Sequence, residues 1–265
     1  YHNVDMVMQS VNLFDEVTVE KTSDGKISVF NEKNTGCPQN EDIAFQCADL
    51  FFKETNTPLS GIKININKNI PISAGLAGGS TDGAAVLALL NRMHDEKVSL
   101  NNLLEMGEKI GADIPFCILG GTARATGKGT EIKKIPSFNS YFLVLTKPNI
   151  SVCTKKAYSL FDSAEIKNVK NFEKLEESLK NHDLSGISNN LFNRFEELIQ
   201  SSEVLNLKKK MGDLGAVSSL MSGSGPSVYG VFEDETTARE CFNEVKMLYH
   251  QTFLCKPIDY GAKIM

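Results

Sequence analysis

The chain has no tryptophan and only four histidines, and none of its apolar runs approaches the roughly 20 residues of a membrane span. The histidines are scattered, so they suggest neither a zinc site nor a catalytic triad. Six cysteines, at 37, 47, 117, 153, 241 and 255, show no CxxC pairing and have no companion histidine at metal spacing. They are expected to be reduced, buried thiols of a cytoplasmic protein. Basic residues are in deficit, since 28 Lys and Arg face 33 Asp and Glu for a net charge of −5. General nucleic-acid binding draws most of its affinity from a basic face and is therefore not expected. A nucleotide carried with Mg²⁺ stays open, and so does either a monomer or a homodimer.

What is present fits a globular chain. The 265 residues are 41% hydrophobic and 23% charged, enough for two domains with proper cores. The most informative stretch is Pro71-Ile72-Ser73-Ala74-Gly75-Leu76-Ala77-Gly78-Gly79-Ser80-Thr81-Asp82. It lies between an alternating segment, Gly61–Asn67, and an apolar helical segment, Ala84–Leu90. Glycines let successive amides turn toward one centre, and a helix N-terminus adds the positive end of its dipole, so the run suits a phosphate. Ser80, Thr81 and Asp82 read as capping residues, and the Ser80 and Thr81 hydroxyls are within reach of a metal. No lysine follows the glycines as in GxxxxGK[ST], and the spacing is not GxGxxG. A phosphate here must be held by backbone amides. The alternative is an ordinary tight turn.

Along the chain, Glu16–Glu20 and Lys26–Phe30 alternate like strands around Ser23-Asp24-Gly25 and read as a hairpin. Glu41–Phe52 reads as a helix, and Ile62, Ile64 and Ile66 as the buried face of a strand. Asn101–Ile110 reads as a helix capped by Ser99, with Pro115 expected to keep Ile114 out of a helix. Thr122–Thr126 and Thr130–Ile135 follow as short strands. A second half begins near Ser137, with a strand at Tyr141–Thr146. Helices at Lys155–Phe161, Phe172–Leu179, Asn189–Gln200 and Val204–Met211 come next. Strands Ala216–Met221 and Ser227–Phe232, a helix at Thr236–His250 and a strand near Thr252–Lys256 complete a ferredoxin-like order. Two α+β domains, 1–136 and 137–265, are expected.

Two further features stand out. Met221-Ser222-Gly223-Ser224-Gly225-Pro226-Ser227 joins two strands with more small residues than a turn needs, so its backbone should closely approach the first glycine run or that run's ligand. Asp113 lies among Ile110, Ala112, Ile114 and Phe116, where desolvation raises a carboxylate pKa unless a cation offsets it. Lys68, Lys128 and Lys147 read as solvated surface lysines.

The order PxxAGLxGGSxDGAA, GADIPF, MSGSGPSVYGVF resembles the GHMP small-molecule kinases. Tyr1-His2 with Val7-Met8-Gln9-Ser10, Lys68-Asn69-Ile70-Pro71 and Gly120–Glu131 support the likeness, as does Ser151-Val152-Cys153-Thr154 before Tyr158. Within the superfamily, the likeness is to the branch acting on a cytidine diphosphate methylerythritol. It runs from Tyr1 to Phe232 and is weakest in 160–210 and after Glu233. It implies a two-domain α+β fold, an N-terminal domain like domain 2 of ribosomal protein S5 and a ferredoxin-like C-terminal domain, with ATP and acceptor meeting between them.

The resemblance also implies roles. Pro71 and Ala74, Gly75, Leu76, Ala77, Gly78, Gly79, Ser80 and Thr81 wrap the ATP phosphates, with Ser80 or Thr81 near Mg²⁺. Asp113 is the catalytic carboxylate. Tyr1, His2 and Tyr158 hold the cytidine, and Gly223, Ser224 and Gly225 complete the floor of the cleft. The family also carries a PAKINL-like strand whose lysine pairs with the catalytic carboxylate. Residues 1–265 contain no such motif, so that strand is expected before Tyr1, and residues 1–265 alone are expected to be inactive. Other acceptors within the superfamily (homoserine, mevalonate, phosphomevalonate) and a non-catalytic nucleotide-binding module are the alternatives.

Overall fold

A computed structural model describes residues 3–33, 36–137, 139–152, 154–162 and 172–265. The first half runs β1 (Val4–Gln9), β2 (Glu16–Lys21), β3 (Ile27–Asn31), α1 (Ile43–Thr55) and β4 (Ile62–Asn67). It continues with α2 (Gly78–Met93), α3 (Leu100–Ile110), α4 (Ile114–Leu119), β5 (Thr122–Gly127) and β6 (Glu131–Lys134). The second half runs β7 (Phe142–Thr146), α5 (Thr154–Asp162), α6 (Phe172–Lys180), α7 (Leu184–Asn190) and α8 (Arg194–Ile199). Then come α9 (Ser202–Asp213), β8 (Ser218–Met221), β9 (Val228–Phe232), α10 (Glu235–Lys246) and β10 (Thr252–Cys255).

The alternation of Ile62, Ile64 and Ile66 does form a strand with that face buried. It is β4, however, that lies in the middle of its sheet, in the order β2-β4-β3. β2 pairs with it antiparallel and β3 parallel, so the expected hairpin between Glu16–Glu20 and Lys26–Phe30 does not form. The reason is burial: α1 carries the chain over the sheet and returns it as the apolar strand β4, which covers the inner edges of both β2 and β3. Asp42 starts α1, its carboxylate accepting from the amides of Ala44 and Phe45. Ala44, Cys47, Ala48 and Phe51 of α1 then pack with Ala84, Leu87 and Leu90 of α2 and with Ile62, Ile64 and Ile66. Each fully buried large aliphatic residue there contributes about 1.5–3 kcal/mol. The crossing of α1 and α2 is close, since a Cβ on Gly83 would stand 2.8 Å from Cys47 Sγ. A separate antiparallel sheet, β1-β5-β6, flanks this core.

The second half forms a four-stranded antiparallel sheet in the order β10-β7-β9-β8, the ferredoxin-like arrangement expected. β7 alternates between two buried faces. Val144 packs with Val204, Leu207 and Met211 of α9 and Ala238, Cys241 and Val245 of α10. Leu143 and Leu145 face the other way, onto a cluster that takes in Val11, Leu13 and Leu76. Leu76 belongs to the first glycine run, so that run is fastened to the far domain's sheet.

Three other expectations are corrected. Asn189–Gln200 is two helices, α7 and α8, because Asn193 breaks the run and caps the second with an acceptor to Phe195 N. Ile114 is helical: Pro115 stands in the first turn of α4, where its missing N–H costs nothing. Cys37 is exposed, whereas Cys47, Cys117, Cys241 and Cys255 are buried as expected and Cys153 lies outside the described residues. Among the described residues no helix is long and apolar enough to cross a membrane.

Candidate active site

The glycine run leaves β4, turns through positive φ at Ser73, Gly75 and Ala77, and enters α2 at Gly78. Helix α2 thus begins four residues before the capping trio proposed from sequence ends. Ser80, Thr81 and Asp82 lie within the helix and do not cap it. The N-cap is Ala77, in the left-handed region and with no side-chain cap. Thr81 N donates to Ala77 O and opens the helical ladder, so no side chain competes for the amides ahead of it. Uncapped amides and the positive end of the dipole favour negative charge at such a helix start. Pro71 and Ala74 are buried beneath it, Ser73 and Gly79 are exposed, and Ser80 is buried.

The second glycine loop meets the first directly, as the small-residue count suggested. Ser222 Oγ donates to Gly75 O at 2.9 Å, and Ser227 N donates to Ala74 O at 3.2 Å. A Cβ on Gly223 would stand 3.2 Å from Gly75 O, so these backbones touch. Gly225 N closes the turn on Ser222 O at 2.8 Å, with Ser224 between. The loop is held from outside by α8. Asn193 Nδ2 donates to Met221 O at 2.7 Å and Gly223 O at 2.8 Å, and Glu196 Oε2 accepts from Met221 N at 2.9 Å. Sequence reading passed over Asn193 and Glu196. The pattern Asn-x-x-Glu is a helix-start signature and was the available clue.

Asp113 stands between α3 and α4 with helical backbone angles and caps nothing. Its carboxylate has no hydrogen bond or ion pair among the described residues, and burial holds its pKa above the ordinary value. Tyr158 of α5 is near enough for the Asp113 charge to add to the effect of burial in raising the phenol. Cys117, one turn further along α4, donates its amide to Asp113 O, and its thiol lies 3.7 Å from Thr81 Oγ1. Burial, with smaller contributions from the Asp113 and Asp82 charges, pushes that thiol up to about 12, so it stays protonated. Ser80 Oγ lies 3.9 Å from where a Gly111 Cβ would stand. Asp113, Tyr158 and the first turn of α2 therefore converge. The Tyr158 ring also meets Phe195 of α8 edge-on, with centroids 4.9 Å apart. Tyr1 and His2 lie outside the described residues.

Lys68 is not a surface lysine. Its side chain is 4% exposed and its ammonium is bound by two carboxylates, Asp15 and Asp82, the latter at 2.7 Å. Asp15 also accepts from Asn69 N at 2.6 Å and Ile70 N at 2.8 Å. Burial works to lower the Lys68 pKa, but Asp82 and Asp15 outweigh it and the net shift is upward. Burial raises Asp82, whose Oδ1 has no partner among the described residues. Position 68 continues the even-numbered buried face of Ile62, Ile64 and Ile66, which is the signal that places it inside. Of the other two lysines, Lys128 is exposed as expected, and Lys147 is half-buried and donates to Pro148 O and Ile150 O. Removing one partner of a buried pair such as Lys68–Asp82 costs on the order of 3–5 kcal/mol.

Comparison with known proteins agrees with this layout. Residues 42–121 match the family described as GHMP kinases N terminal domain, and residues 166–251 match GHMP kinases C terminal. A 4-diphosphocytidyl-2-C-methyl-D-erythritol kinase of Clostridium perfringens is 41% identical over 251 residues, covering 94% of this chain and 87% of the relative. A crystal structure of 4-(cytidine 5'-diphospho)-2C-methyl-D-erythritol kinase superposes with a TM-score of 0.80 at 26% identity, covering 97% of this chain and 91% of the other. A homoserine kinase from Cytophaga hutchinsonii superposes equally well, with a TM-score of 0.81 and coverage of 99% and 97%. At 16% identity that likeness speaks to the fold alone.

Proposed function

The chain belongs to the GHMP kinases and, within them, to the 4-diphosphocytidyl-2-C-methyl-D-erythritol kinases, and on that footing we propose how its residues divide the work of the reaction. The enzyme is an ATP-dependent small-molecule kinase. It phosphorylates the 2-hydroxyl of 4-diphosphocytidyl-2-C-methyl-D-erythritol and releases ADP, a step of non-mevalonate isoprenoid precursor synthesis. The amides of Ala74–Thr81 receive the ATP phosphates, with Pro71 fixing the entry of the run. Asp113 accepts the proton of the acceptor hydroxyl as its oxygen bonds to the γ-phosphorus and the bond to the ADP oxygen breaks. Tyr158, Tyr1 and His2 hold the cytidine, and Gly223, Ser224 and Gly225 floor the cleft. Residues 1–136 form the ATP-binding domain and 137–265 the second domain. We place the enzyme in the cytoplasm as a monomer or homodimer.

The observation that carries this assignment is the desolvated carboxylate of Asp113, without a partner among the described residues, beside Tyr158 and the uncapped start of α2. Phosphoryl transfer needs positioning and charge neutralisation more than covalent help, and the site offers these. Among the described residues no group of three or more His, Cys, Asp or Glu gathers as a metal site. Mg²⁺ would be held mainly by phosphates and water, with one or two protein oxygens. Ser80 fits that part better than Thr81, whose hydroxyl is turned back to Ala77 O at 3.0 Å. Bound there, Mg²⁺ would neutralise charge on the phosphates.

ADP release by the complete protein, measured with each acceptor in turn, tests the assignment. Turnover is expected with the cytidine compound and not with homoserine, mevalonate or phosphomevalonate. Turnover with one of those three alone overturns the acceptor. ATP binding with no turnover on any of them makes the protein a nucleotide-binding module.

A further inference from the structure

Lys68 and Asp82 bracket the first glycine run, one at its entrance and one within the opening turns of the helix it feeds. Between them the chain passes through three residues at positive φ, Ser73, Gly75 and Ala77, and residues 69–77 belong to no strand or helix. The Lys68–Asp82 ion pair joins the two ends of that course at 2.7 Å. Asp15, from the link between β1 and β2, grips the entrance three times, through the Lys68 ammonium and the amides of Asn69 and Ile70. The ammonium also lies 3.4 Å from where a Gly78 Cβ would stand, directly under the first residue of α2. The side chains of all three residues are at most 6% exposed.

We propose that Asp15, Lys68 and Asp82 form a positioning device, a buried ionic tie that fixes the start of α2 against the end of β4 so that its amides meet the ATP phosphates in register. The proposal rests on reading residues 71–81 as the phosphate-binding run. None of the three touches the reacting atoms. They act through the backbone they hold. The irregular residues 69–77, closed without the tie, would sample many separations of their ends. Catalytic positioning is sensitive to such slack, because a displacement of about 1 Å can cost on the order of a hundredfold. Lysine supplies two donors to two carboxylates from one point, which no neutral side chain of that length does.

The experiment compares the complete wild-type protein with Lys68→Met, Lys68→Arg and the charge-free triple variant Asp15→Asn/Lys68→Met/Asp82→Asn. Each is assayed for ATP affinity, acceptor affinity, urea stability and amide hydrogen exchange at residues 74–81 with and without ATP. Lys68→Met is expected to weaken ATP binding by about tenfold or more while acceptor affinity stays within about twofold. Lys68→Arg, which keeps the charge, is expected to recover most of the loss. The triple variant has no uncompensated buried charge, so its stability should return toward wild type while its ATP affinity stays low. If ATP affinity returns together with stability, or if acceptor and ATP affinities fall together, the triad is merely structural and the proposal fails. Wild-type amides at 74–81 that gain no protection from ATP would instead overturn the phosphate-run reading itself.

Discussion

Asp113→Asn should leave ATP binding nearly unchanged and lower turnover by at least about a hundredfold, the usual scale for losing a general base. Asparagine keeps the size and one acceptor oxygen but does not take a proton. Because the Asp113 carboxylate has no partner among the described residues and is desolvated, its folded pKa lies above the ordinary 3.8. The sign of two further effects follows. As pH falls through that raised value, Asp113 is protonated and kcat/KM falls, so the acid limb of the profile lies above the position an exposed aspartate would give. Stability runs the other way. The folded state binds its proton more tightly than the unfolded chain, so the contribution of Asp113 is greatest below pH 3.8 and is lost as pH rises through the folded value. At neutral pH, Asp113→Asn should therefore unfold at a higher temperature than wild type, the trade of stability for function expected at an active site. Equal turnover in the variant would demote Asp113 to a structural residue.

Gly75→Ala is expected to separate the two glycine loops. A Cβ at this position would lie 2.3 Å from Ser222 O and 2.9 Å from Gly225 N, both backbone atoms, and the φ of +72° is already costly for a side chain. Left-handed strain and overpacking together come to on the order of 2–5 kcal/mol. The loop must give way, taking with it the Ser222 and Ser227 hydrogen bonds that hold Gly75 O and Ala74 O. Urea unfolding and ATP titration of the complete protein check this, with Gly212→Ala as the reference. A Cβ on Gly212, which lies in α9, meets nothing within 4 Å, so that change should be neutral or slightly stabilising. A Gly75→Ala protein as stable and as tightly ATP-binding as the Gly212→Ala protein would show that the contact between the loops is dispensable.

Local pattern made much of this molecule legible. The alternation around Ile64, the cap at Ser99 and the positions of the strands along the second half depend on near neighbours, and all three are found in the structure. Tertiary choices were less accessible. A Ser-Asp-Gly turn between two alternating segments is locally a hairpin, yet β4, arriving after α1, buries more apolar surface by inserting between them. Pro115 was read as a stop because a proline disfavours helix in the residue before it, but it serves as a start when it falls in a helix's first turn. Lys68 was misread because charge suggested solvent, whereas period-two placement put it inside and two distant carboxylates made that burial tolerable. In the site, the glycine run and Asp113 were visible as residue types. The clamp of Asn193 and Glu196 on the second loop joins positions about 25–30 apart in sequence and had to be seen in three dimensions.

The uncapped start of α2 is expected to receive ATP and to turn its terminal phosphate toward Asp113. A crystal structure of the complete protein with a non-hydrolysable ATP analogue tests it most directly. The phosphates are expected within hydrogen-bond reach of the amides at Gly78, Gly79 and Ser80, with the terminal phosphate on the side of Asp113 and Tyr158. A nucleotide seated elsewhere, for example in the 540 Å³ groove beside Arg239, Phe242 and His250, would contradict it.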